Sequence, residues 1–114
     1  MEPATHNLNI YRDRDFSQTF LFKSSGSVMN LAGYEARAEI RQAKDSLTLI
    51  VAFTLVMDEV LGKITISLTD VQTLALRGIK LFWDLVLTDT NGLRQNYVQG
   101  TANIIGTVTR EVII

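Results

Sequence analysis

The chain has 114 residues, 46% hydrophobic and 20% charged, which fits one folded domain and is too apolar for intrinsic disorder. Lysine and arginine total 11 against 12 acidic residues, a net charge of -1, without the basic excess that a dedicated nucleic-acid or anionic-membrane binder carries. Cysteine is absent and His6 is the single histidine, so disulfides, thiol catalysis and cysteine-ligated metal sites are excluded, and a His-rich metal site or Ser-His-Asp triad nearly so.

The opening Met1-Glu2-Pro3-Ala4-Thr5-His6 has neither the basic nor the apolar part of a secretion signal. The longest apolar stretch, Leu47 to Met57, is shorter than the roughly 20 residues that a membrane-crossing helix needs. The expectation is a soluble chain made in a cytoplasm.

Taken in chain order, the elements follow a period of two. Leu8 and Ile10 share one face of a first strand. Arg12-Asp13-Arg14-Asp15 is the densest charge cluster. It reads as a solvated turn whose charges pair internally, with Asp13 and Asp15 as the only candidates for a hard cation. Phe16 to Lys23 places Phe16, Phe20 and Phe22 on one side, and a small-polar loop, Lys23 to Ser27, ends it. After the turn Asn30-Leu31-Ala32-Gly33, the clearest strand runs from Tyr34 to Arg41. Tyr34, Ala36, Ala38 and Ile40 lie on one face; Glu35, Arg37, Glu39 and Arg41 lie on the other.

Ala43 to Ser46 is a turn, and Leu47 to Leu55 is apolar on both faces, as in a strand covered on both sides or facing a partner. Asp58 to Gly62 turns the chain into Lys63 to Leu68, with Ile64, Ile66 and Leu68 inward. Thr69-Asp70-Val71-Gln72 has capping-box spacing, which predicts a short helix over about 70–77 closed by Gly78, with Val71, Leu74 and Ala75 toward the core. Ile79 to Thr88 turns Leu81, Trp83, Leu85 and Leu87 inward and Asp84 away from Trp83, toward solvent or the adjacent strand, where a cross-strand partner such as an arginine is expected rather than catalysis. Asn91-Gly92 is a hairpin signal in which both residues tolerate positive φ. Arg94 to Val98 and Ala102 to Val108 read as two strands separated at Gly100.

About seven or eight short strands with one helix, and turn signals every 8–12 residues or so, predict an all-β, immunoglobulin-like antiparallel β-sandwich over residues 1–114, with a small barrel as runner-up. The ends near 1–6 and 110–114 are expected to be flexible or held by a partner. No catalytic, cofactor or metal residues are assigned. Tyr11, Tyr34, Trp83 and Tyr97 sit among apolar residues and read as packing. The residues expected to contact a partner are Leu8 and Ile10 together with Val112, Ile113 and Ile114, large apolar side chains at a terminus that invite edge pairing.

Several phrases carry a resemblance: Asn7-Leu8-Asn9-Ile10-Tyr11-Arg12-Asp13, Asp15 to Phe20, Asn30-Leu31-Ala32-Gly33-Tyr34 through Arg41, Gly62 to Thr69 with Gln72-Thr73, and Trp83 to Asp89 followed by Asn91-Gly92. The series resembles the N-terminal domain of phage baseplate upper proteins and related tail-fibre attachment modules, from about Asn7 to Thr109. Trp83 stands where that group has Tyr or Phe, and the chain ends where larger relatives continue into a fibre. The resemblance implies a virion structural protein, a tail or baseplate adaptor that attaches a fibre or neighbouring component in several symmetric copies. Its partners would be other virion proteins of tail, baseplate, fibre or capsid, with no nucleic acid, membrane or cofactor. The alternatives are a capsid decoration or cement protein, and a carbohydrate- or ligand-binding β-sandwich module with an exposed aromatic platform.

Overall fold

A computed structural model describes residues 3–46, 49–76 and 80–106. Among them are eleven strands and one helix: β1 (Ala4–Thr5), β2 (Leu8–Tyr11), β3 (Phe16–Leu21), β4 (Lys23–Ser24), β5 (Ser27–Val28), β6 (Glu35–Arg41), β7 (Leu49–Ala52), β8 (Thr54–Asp58), β9 (Lys63–Leu68), α1 (Asp70–Leu74), β10 (Lys80–Thr88) and β11 (Arg94–Ile105). The count exceeds seven or eight because several strands are two-residue pieces and one apolar run divides between sheets.

The molecule is an all-β, sandwich-like fold. Its larger sheet has six strands in the order β1-β11-β10-β6-β7, with β2 also on β11; its smaller sheet is β3-β9-β8, and β4 and β5 form a separate hairpin. Most pairs are antiparallel, while β1 and β2 run parallel to β11. Alternation explains the layers. Leu81, Trp83, Leu85 and Leu87 of β10 are buried together with Ala38 and Ile40 of β6. They meet Ile64, Ile66 and Leu68 of β9 in one core. Each such large apolar side chain removed from water stabilises the fold by about 1.5–3 kcal/mol before entropy is counted.

The Leu47 to Leu55 run is two strands. Leu49 to Ala52 pairs with β6 in the larger sheet and Thr54 to Asp58 pairs with β9 in the smaller one. The chain changes sheets at Phe53, whose side chain is buried and whose N–H donates to the Ala38 carbonyl at 2.9 Å. A segment that crosses between layers turns different faces inward along its length, which gives it apolar residues on both sides.

Gly100 is not a break. β11 runs through it as one strand, and its pairing with β10 shifts register only between Leu85 and Val86. A β-carbon at Gly100 would collide with the carbonyl of His6. That carbonyl accepts the indole N–H of Trp83, the cross-strand neighbour of Gly100, at 2.8 Å. The side-chain oxygen of Asn7 accepts the Thr101 N–H at 3.0 Å. Glycine in a strand here marks the close approach of another backbone. The same contacts fasten residues 4–6 to the sheet of their own chain: this part of the N-terminal end, expected to be flexible or held by a partner, is a paired strand and its continuation.

The helix forms behind its predicted capping box: Thr69 accepts the Gln72 N–H, and Gln72 returns the bond to the Thr69 N–H at 2.8 Å. Its orientation differs from expectation. Val71 is 72% and Leu74 49% exposed, Ala75 is also exposed, and the residues turned inward are Thr73 and Leu76. The expected closing residues Arg77 and Gly78 lie outside the described residues. The reason for the rotation is polar. The Thr73 hydroxyl donates to the Arg14 carbonyl at 2.7 Å and accepts the Arg14 N–H at 3.1 Å. Arg12 Nε donates to the Leu76 carbonyl at 3.1 Å, and Asp15 accepts the Asp70 N–H at 2.8 Å. The 12–15 segment is therefore a clamp on α1, and among the described residues its charges form no ion pair with one another.

The Asp89 to Gly92 loop also departs from the expected turn. Only Gly92 has positive φ (83°), and Gly92 N–H donates to the Asp89 carbonyl at 3.0 Å. The Asp89 carboxylate accepts the N–H groups of Asn91 and Leu93, each at 2.9 Å, which holds the loop without a left-handed asparagine.

Candidate functional site

The expected contact residues fall into two groups. Leu8 and Ile10 are 2% and 0% exposed, their side chains inside the core, because β2 lies beside β11 and turns them inward with Ala102 and Ile104. Both are core residues, not surface contacts. Val112, Ile113 and Ile114 lie outside the described residues.

The aromatic residues are not gathered into a surface platform. Trp83 is 3% exposed and stacks on Phe20 with ring centroids 5.6 Å apart. Tyr34 and Tyr97 pack against the core, and only Tyr11, at 52%, faces water. His6 meets the Phe20 ring edge-on at 5.2 Å. Asp15 holds the start of the helix, Asp13 accepts only from the neighbouring Arg14 guanidinium through its carbonyl among the bonds described, and no group of three or more potential metal ligands occurs among the described residues.

Two surfaces remain. The first is the outer face of the larger sheet, where strand register builds polar rows across β6, β10 and β11. Glu39, Asp84 and Gln99 form one row; Arg41, Phe82 and Thr101 the next; Arg37, Val86 and Asn96 a third. The first two rows line a shallow depression of about 420 Å³. Lys44 lies over the Phe82 ring at 6.0 Å. Asp84 faces away from Trp83 as its strand position predicts, yet its direct neighbour on β6 is the like-charged Glu39. Burial, and then Glu39, push the Asp84 carboxyl above its ordinary 3.8, while Arg41 and Arg94 oppose the shift. Arg41 is bonded to Glu39 at 2.8 Å and also donates to the Ser46 carbonyl at 3.2 Å. Asn96 reaches Asp84 only at 3.5 Å. The depression offers donors and acceptors of both signs to a polar surface laid on it.

The second surface is the edge from Leu49 to Asp58, which closes one side of both sheets. Among the described residues no strand pairs beyond β7 or β8. Leu49, Ile50 and Val56 are 43%, 37% and 65% exposed. Between Leu49 and Met57 the edge carries no charge and no proline, the devices by which natural sheets commonly discourage edge pairing. The doubly apolar composition of this run was its sequence signal; Val51, Phe53 and Leu55 supply the inward share. The clamp around Thr73 and the His6–Trp83 bond had no such signal, since each joins residues far apart in the chain.

No family model matches this chain, and no curated protein matches it.

Proposed function

We propose that the chain is a structural protein of a tailed-bacteriophage virion, an adaptor in the tail or baseplate that attaches a fibre or neighbouring component. The observation that carries the reading is the apolar edge of β7 and β8, uncharged from Leu49 to Met57 and shared by both sheets. A strand of another chain added there would gain main-chain hydrogen bonds and cover Val56, and repetition in a symmetric assembly would multiply a weak contact. The strand-and-turn phrases that resemble baseplate and tail-fibre attachment modules supply the class of partner. The charge-balanced outer face of the larger sheet suits a polar protein surface better than a polyanion.

The test is to probe gradient-purified particles, separated into heads and tails, with antibodies raised against the purified chain. The reading expects the chain at constant stoichiometry in the tail fraction. Its confinement to the head fraction would make it a decoration protein, and its absence from particles would refute the virion reading.

A further inference from the structure

We propose that the depression on the outer face of the larger sheet is a binding site for a neutral saccharide, with Phe82 as the stacking surface and the carboxylates of Asp84 and Glu39 as hydroxyl acceptors. The inference goes beyond the adaptor reading, which the β7–β8 edge carries, and stands or falls apart from it. Strand register extends the central row of this face across the whole sheet: Ala52, Glu39, Asp84, Gln99 and Thr5 lie side by side, with Asp84 in the middle. One step along β10, about 7 Å away on the same face, stands Phe82. The short side chains of Asp84 and Thr101 lie among the long ones of Arg41, Lys44 and Lys80, and the surface dips there into the depression of about 420 Å³. Small-molecule sites occupy about 300–1,000 Å³.

The chemistry of the lining narrows the ligand. Acceptors exceed the donors that reach them: Glu39 takes one bond from Arg41 at 2.8 Å, and Asp84 takes one long contact from Asn96 at 3.5 Å. Each carboxylate has about four lone-pair sites. A ligand rich in O–H donors fills that capacity, and two adjacent hydroxyls of a sugar ring match the two oxygens of one carboxylate. The C–H face of the same ring then lies on Phe82, which is half-buried. Lys44 stands 6.0 Å from that ring, at the limit of cation–π attraction, and holds the face only loosely. An apolar ligand would cover both carboxylates without giving them donors, which is unfavourable. A polyanion would meet Glu39 and Asp84; a cation would meet Arg41, Lys44 and Lys80. An extended peptide would find no main-chain partners, because β10 is paired on both sides by β6 and β11. A neutral polyhydroxylated ring meets none of these obstacles.

The test titrates the isotope-labelled chain with maltose, lactose and chitobiose and follows its amide NMR signals, with glycerol as the control for hydroxyl solvation. At least one disaccharide is expected to shift the backbone amides of 82–84 and 99–101 and the side-chain amides of Asn96 and Gln99. The dissociation constant is expected on the order of 1 mM, because a shallow site leaves one face of the ligand in water. Phe82→Leu keeps an apolar side chain without the flat face, and Asp84→Asn keeps the shape without the charge; each is expected to weaken binding about tenfold. For Asp84→Asn, a thermal midpoint no lower than the parent's near neutral pH separates loss of the acceptor from loss of the fold. Glu35→Gln removes a carboxylate of β6 outside the depression and is expected to bind as the parent does. No shift with any of the three sugars at about ten times the expected constant would overturn the proposal. Equal shifts with glycerol, or parent-like binding by both Phe82→Leu and Asp84→Asn, would do the same. If the sugars leave these signals unmoved and a tail or baseplate protein shifts them, the face is a protein interface and the saccharide site is refuted. If a sugar binds there while the chain is absent from particles, the site stands and the virion reading falls.

Discussion

Gly100→Ala is the most demanding check on the fold, because it adds one carbon at a place where three segments meet in close contact. The new β-carbon would meet the carbonyl carbon of His6 at 2.8 Å and the Asn7 side-chain oxygen at 2.9 Å, with the His6 carbonyl oxygen nearer still. Real β-carbons do not tolerate such approaches to backbone, so residues 6–7 must lift from β11. Overpacking of this kind costs about 1–3 kcal/mol. Displacing the His6 carbonyl also leaves the indole N–H of Trp83 without its acceptor inside the core, which adds about 1–3 kcal/mol. A combined loss of about 3 kcal/mol corresponds to a fall in thermal midpoint of roughly 12 °C for a chain of this length. Trp83 is the sole tryptophan, so urea unfolding followed by its fluorescence reads both the stability and the indole environment. Gly106→Ala, with open space around the position, is the control expected to stay within about 0.5 kcal/mol of the parent. A Gly100→Ala variant as stable as that control, with unchanged emission, would refute the close approach and restore the reading of two strands separated at this glycine.

Thr73→Val keeps the shape of a fully buried side chain but orphans the N–H and carbonyl of Arg14; it is expected to cost about 2–4 kcal/mol in urea unfolding, with Thr73→Ser close to the parent. Equal stability of the Val and Ser variants would show that the clamp on α1 is ornamental. Ile10→Ala should lose about 2–5 kcal/mol as a core residue; a near-neutral change accompanied by loss of self-association would return it to the surface. Asp84 carries a carboxyl raised above 3.8, so the folded chain holds that proton more tightly than the unfolded one and stability falls as pH rises from about 4 through the raised value. Asp84→Asn is expected to remove that fall, matching the parent in acid and exceeding it near neutrality. An Asn variant with the lower urea midpoint at neutral pH would reverse the sign and overturn the assignment.

The sequence by itself determined the layers. Alternation placed Ala36, Ala38 and Ile40, then Ile64, Ile66 and Leu68, then Leu81, Trp83, Leu85 and Leu87 on inner faces, because a strand's period of two requires only local order and one buried side. The capping box of α1 was equally local, with both of its partners within four residues. What lay across the chain was decided by tertiary structure. The helix turned on its axis because Thr73 found Arg14, 59 residues away, and a hydroxyl with two partners outweighs the apolar pull of Val71 and Leu74. Gly100 resembled a break until His6 and Trp83 were brought to it, and the run through Phe53 resembled one doubly buried strand until it divided between two sheets. Leu8 and Ile10 looked available only because a strand pattern states which side chains share a face and not which neighbour covers it. That neighbour is β11, nearly a hundred residues later in the chain, and no local regularity can encode a partner at such a distance.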